Sequence, residues 1–176
     1  MKKQLITLAL LFTGLTISGC DDKEYIHVGP NWDMIHKIQA SQKSFDVNVS
    51  GVKSSYKVGD KLAFNVTSEK TGKLWIVQVD PNDEVTMIMP NQLQSDNNIS
   101  AGQSFSFPPK NATWSAPASE PTGESVLAFI VTTGDADLNT VLSGQTDKKS
   151  VMQKTFRIIK DEPAWGLKTK VVNITQ

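Results

Sequence analysis

The sequence predicts a mainly β fold, a β-sandwich of about eight or nine short antiparallel strands with a short N-terminal helix. Three observations carry this. From Ser44 onward, apolar residues recur mostly with a period of two. Turn residues (Gly, Pro, Asn and Asp) separate these runs at short intervals. Half-apolar strands at this density need a second sheet to cover them.

Each element follows in order. Pro30-Asn31 opens a segment with Trp32, Ile35 and Ile38 at three-residue spacing, a short amphipathic helix that covers one end of the core. Phe45, Val47 and Val49 alternate with Asp46, Asn48 and Ser50, the mark of a half-buried strand. Tyr56 to Asp60 is a strand entry with a turn, leading into Leu62, Phe64 and Val66. Thr71-Gly72 turns the chain into the apolar run Leu74 to Val79. Asp80-Pro81-Asn82-Asp83 turns it again, through Val85, Met87 and Met89 to Pro90-Asn91, so residues 74–89 form a hairpin. Phe105 and Phe107 mark another short strand. Ser125 to Thr132 is the most apolar run and predicts a central strand buried on both faces. Lys154 to Lys160, around Phe156 and Ile158, and Leu167 to Ile174 complete the strands. Between them Gly134 to Ser150 is a polar loop in which Leu138, Val141 and Leu142 allow a turn or two of helix. There is no internal repeat, so residues 30–176 make one domain.

The N-terminus has a different character. Lys2 and Lys3 precede the apolar run Leu5 to Phe12 and the small-residue stretch Thr13 to Gly19. That order and length describe a secretory signal peptide over residues 1–19. It ends in Ile17-Ser18-Gly19-Cys20, which resembles a bacterial lipobox. The resemblance implies a diacylglyceryl thioether on Cys20, cleavage before it and acylation of the new amino terminus. Asp21 and Asp22 follow directly, and lipoproteins with Asp after the acylated Cys resemble those retained in the inner membrane. The expected location is therefore the inner membrane, facing the periplasm, with the outer membrane as the alternative. Residues 20–29 are a polar tether.

Within the domain, the ordered pieces Tyr56-x-Val58-Gly59-Asp60, Phe64-x-Val66, Gly72-x-Leu74-Trp75-Ile76, Val79-Asp80 and Val85 to Asn91 form a pattern. It continues through Asp96-Asn97-x-Ile99-x-Ala101-Gly102 and Phe107-Pro108 to Pro121-x-Gly123-Glu124. Over about residues 54–133 this resembles a bacterial domain-of-unknown-function family, number 4384. The family occurs in envelope lipoproteins and beside kinase-like, peptidase-like or outer-membrane modules. The resemblance implies an interaction or sensing domain with no reaction attached, and no functional residue is carried over from it.

Composition narrows the chemistry. Lys plus Arg and Asp plus Glu each number 18, so nothing marks a nucleic-acid surface. The one Cys is assigned to the anchor, and the two His, His27 and His36, lie in the tether and the first helix. No Gly-x-Ser-x-Gly elbow is present, so a hydrolase ranks third among the functions considered. Asp80, Asp83 and Glu84 cluster, yet in a turn such residues serve the backbone. Asp96-Asn97-Asn98 and Asp135-x-Asp137 lack the spacing of a calcium loop. Met87 and Met89 fall on one face of a strand and read as core, not as a soft-metal pair. No catalytic residue, metal or cofactor is expected.

The leading function is a membrane-anchored protein-binding or accessory module of an envelope or secretion complex. The alternative is an immunity or inhibitor lipoprotein that neutralises a toxin in the periplasm. Partner binding is expected at Gly134 to Ser150, where Asp135, Asp137, Lys148 and Lys149 surround Leu138 and Leu142, an apolar cluster rimmed by mixed charge.

Overall fold

The computed structural model describes residues 27–143 and 147–176. The signal-like segment, Cys20, Asp21 and Asp22 lie outside the described residues. The mainly β expectation holds, with the helix where the sequence placed it: α1 spans Pro30–Ala40. Proline at its first turn has the backbone angle a helix needs and no N–H to waste there.

Eleven strand segments follow among the described residues: β1 (Val47–Ser50), β2 (Ser55–Lys57), β3 (Lys61–Leu62), β4 (Phe64–Ser68), β5 (Gly72–Val79), β6 (Val85–Met89), β7 (Asn98–Ile99), β8 (Phe105–Phe107), β9 (Ala116–Pro117), β10 (Gly123–Thr132) and β11 (Trp165–Thr175). Between β10 and β11 the described residues form helix α2 (Asn139–Leu142), a 3-10 turn at Lys148–Ser150 and helix α3 (Val151–Asp161). The main sheet runs β2-β11-β10-β5-β6, with β7 continuing the pairing of β5 beyond β6. Its pairs are antiparallel except β2 with β11. A second sheet, β1-β4-β8, is smaller, and β3 pairs with β9 alone.

The main sheet is covered on both faces. Along β10, Val126, Ala128 and Ile130 join Trp32, Ile35 and Ile38 of α1 and Met152 and Ile159 of α3 in one apolar cluster. The alternating residues Leu127, Phe129 and Val131 join Phe45, just before β1, and Val47, Phe64, Val66 and Phe107 of the small sheet in another. Both side-chain sets of one strand are thereby removed from water, which is why its sequence is a continuous apolar run. The predicted hairpin of residues 74–89 is present as β5 and β6. Trp75 is buried with its indole N–H donated to the Thr132 hydroxyl at 3.1 Å.

Three expectations are corrected. Lys154 to Lys160 is helix α3, not a strand. Phe156 and Ile158 suggest period two, but they are the half-buried flanks of a stripe made by Val151, Met152, Thr155 and Ile159, whose spacing is helical. The fold is consequently three layers, helices on sheet on sheet, and not a simple two-sheet sandwich. Nor do Met87 and Met89 share a face. Ile76 pairs with Met89 and Val77 with Met87, so Ile88 is the extra residue of a bulge. Met87 turns to the helical side and Met89 to the small sheet.

The small sheet approaches β11 closely at one point. A methyl group on Gly166 would lie 2.6 Å from Cε2 of Phe45 and 2.8 Å from a methyl of Val47. Gly166→Ala should therefore lower stability by about 1–3 kcal/mol, the usual range for overpacking. An unchanged melting midpoint would show that β1 can lift away at no cost.

Candidate functional site

At one end of the main sheet, three elements converge on the β5–β6 turn. The Asp80 carboxylate accepts the N–H groups of Asn82 at 2.8 Å and Glu84 at 2.9 Å, which folds the turn around it. Asp83 takes a positive φ of 63° within that turn. Its carboxylate then accepts the N–H of Asn31 at 3.1 Å and of Trp32 at 2.8 Å. These are helix-start donors with no partner inside α1, and the local cap, Gly29, has no side chain to offer them. A residue far away in sequence thus caps α1.

Asn31 completes the junction from its buried position. Its side-chain amide donates to the Asp83 carbonyl at 3.0 Å and the Lys148 carbonyl at 2.8 Å. Its side-chain oxygen accepts the Met152 N–H at 3.0 Å, in the first turn of α3. One side chain thereby joins α1, the turn and α3. Outside the junction is an open depression of about 470 Å³ lined by His27, Gly29, Asp83, Glu84, Lys148 and Lys149, among others. Lys148 pairs with Glu84 at 2.9 Å and His27 with Asp33 at 2.8 Å, all at exposed positions of low energetic weight. The acidic trio of Asp80, Asp83 and Glu84 is therefore occupied in folding the turn, capping a helix and pairing with a lysine. His36 sits farther along α1, its ring 5.5 Å from that of Trp32, and burial holds its imidazole below the ordinary pKa range.

The six residues expected to bind a partner do not form one patch. Asp135 and Asp137 are exposed in the loop that follows β10, where Glu162 accepts the N–H groups of Gly134 and Ala136 at 2.6 and 3.1 Å. Lys148 and Lys149 lie at the depression, beside the opposite end of β10. Leu138 and Leu142 are 0% and 2% exposed, within the cluster under the helices. They are core residues and not surface anchors: Leu142 in α2 and Leu138 at its cap are sealed into the helical layer, so neither offers an apolar surface for the charged residues to rim. The Ser150 hydroxyl, 2.6 Å away, holds the nearby Asp147 carboxyl below its usual range.

A different feature, the outer edge of β11, is set by the topology of the main sheet. Ser44 donates its N–H to the Trp165 carbonyl, and Asn173 donates its own to Ser54, both at 2.9 Å on the side away from β10. Backbone groups alternate sides along a strand, so Leu167, Thr169 and Val171 also face outward. Among the described residues no strand pairs with them there. Beside them Lys168 and Lys170 enter a groove of about 280 Å³, rimmed by Asn48, Ser50, Asn65 and Thr67 of the small sheet. The signal available was Leu167 to Ile174 itself, a strand far longer than the Tyr56 strand it pairs with.

The stretch from β2 to the loop after β10 carries the motif series read from the sequence. Residues 55–135 match the family model described as Domain of unknown function (DUF4384). The matched domain contains β2 through β10 but none of α1, β1, α2, α3 or β11. The helical layer and the open edge of β11 both lie outside it. No curated protein and no solved structure matches the chain. Among the described residues, no helix is long and apolar enough to cross a membrane.

Proposed function

We propose that the chain is an envelope lipoprotein whose domain binds another protein as an accessory module of an envelope or secretion complex. The observation that carries this is the order of the N-terminal residues: Lys2-Lys3, the apolar run, then Ile17-Ser18-Gly19-Cys20. Each buried methylene of an acyl chain contributes about 0.8 kcal/mol, so several chains on Cys20 anchor stably where one would not. From Cys20 to His27 a fully extended chain reaches at most roughly 25 Å, which keeps the α1 end of the domain near the bilayer. Asp21 and Asp22 favour the inner membrane, periplasmic face.

Cys20→Ser should abolish incorporation of labelled palmitate and leave an unprocessed or soluble product. Tight membrane association of that variant would overturn the anchor. Asp21→Ser should move the protein toward the outer membrane in a host with Asp-dependent retention. Recovery of the wild type in outer-membrane density fractions would refute the sorting assignment alone.

A further inference from the structure

We infer that the outer edge of β11, between Trp165 and Asn173, is a strand-addition site for an extended acidic segment of another envelope protein. The inference rests on reading the chain as a protein-binding module and supplies the place and the chemistry. Three residues, Leu167, Thr169 and Val171, hold their N–H and C=O groups outward with no ladder partner among the described residues. The edge is stopped at each end, by Ser44 on Trp165 and by Ser54 on Asn173. That leaves room for a guest strand of about five residues, which would gain main-chain hydrogen bonds as peptides do on other open sheet edges.

The side chains beside the edge select the guest. Lys168 and Lys170 lie on the face toward the small sheet, in the polar groove with Asn48 and Ser50. Residues opposite them in an added strand lie close enough to pair directly, so carboxylates at alternate positions complement both lysines. Val171 is on the other face and 48% exposed, a large apolar side chain left open to solvent. It favours an apolar or β-branched residue just beyond the carboxylate that faces Lys170, with a β-branched residue opposite Thr169 between the two carboxylates. A second copy of the chain fits poorly. A two-fold antiparallel pairing centred on Thr169 would set Lys168 against the copy's Lys170, and like charges directly opposed are unfavourable.

The test uses the full-length lipidated protein in detergent and a labelled peptide of sequence Thr-Glu-Val-Glu-Thr, with Thr-Lys-Val-Lys-Thr as control. Fluorescence anisotropy should show saturable binding of the acidic peptide, weakened by salt, and at least about tenfold weaker binding of the basic one. Lys168→Glu with Lys170→Glu should reverse that preference. Thr169→Pro should abolish binding of the acidic peptide, because it removes an outward N–H while leaving the β10 ladder its donors. The melting midpoint reports whether that variant is folded; if it is not, the charge reversal decides alone. Equal binding of the two peptides, or binding that survives Thr169→Pro in a folded protein, overturns the inference. So does a dimer that Thr169→Pro dissociates, since the edge then belongs to a second copy. Envelope crosslinks that persist in folded Thr169→Pro likewise remove the edge while leaving the binding-module reading intact.

Discussion

Phe129→Ala should lower the unfolding free energy by about 3–5 kcal/mol, the range for truncating a large buried aromatic. Phe129 is 0% exposed and lies at the middle of β10, paired with Ile76 on one side and Lys168 on the other. Its ring meets that of Phe64 edge to face, with centroids 5.1 Å apart. Phe64 in turn stacks on Phe107 at 4.9 Å, so the three rings join the main sheet to β4 and β8. Truncation loses both the transfer of the ring and the contacts of its neighbours, and the rigid sheets on either side limit how far the void can close. Against a typical domain stability of roughly 5–15 kcal/mol this is a large share. Chemical denaturation of the full chain in detergent measures it, and a shift below about 1 kcal/mol would mean that the two sheets do not share one rigid core.

How much of this was legible follows from how local each signal is. The β10 strand could be read because its two faces are both buried, so every residue from Val126 to Val131 is apolar. The hairpin could be read because Asp80 organises its own turn, within four residues of itself. α3 could not, because Phe156 and Ile158 have the same spacing in a strand pattern as on the two shoulders of a helical stripe. The bulge at Ile88 was invisible for a related reason. Met87, Ile88 and Met89 are all apolar, and an inserted apolar residue leaves no mark in a pattern of burial. Leu138 and Leu142 stand among charged residues as surface anchors do, and only their four-residue spacing at a short helix marks the way a layer is sealed.

The open edge of β11 shows the same limit in a different form. Lys168 and Lys170 alternate with apolar residues as on any half-exposed strand. What distinguishes the edge is that β2 pairs only with Asn173 to Thr175, leaving the middle of β11 unpaired on that side. A strand's partner is a property of topology, and its own residues do not encode where that partner stops. The family match ends at residue 135, before both β11 and the helix that leads to it.

Replacing Asn31 should be the second most costly change, and it has a signature that core truncations lack. Asn31→Leu keeps a buried side chain of similar reach but strips the Met152 N–H and the Lys148 carbonyl of their partner. Each buried polar group left unsatisfied costs about 1–3 kcal/mol, so a loss of roughly 2–4 kcal/mol is expected. Asn31 and Asp83 are 52 residues apart in sequence, and Asn31 and Met152 are 121 apart, so no local pattern announces the junction. The cost should be shared between elements. In Asn31→Leu the Met152 amide should exchange faster with solvent, at the start of α3, although the substitution lies in α1. Asp83→Ala removes the distant cap of α1 and alone should cost about 0.5–2 kcal/mol. Because the two side chains meet, the double variant should depart from additivity by about 0.5–3 kcal/mol. If the losses simply add and the Met152 amide is unaffected, the three elements are held by apolar packing alone. The polar junction is then a consequence of their position and not its cause.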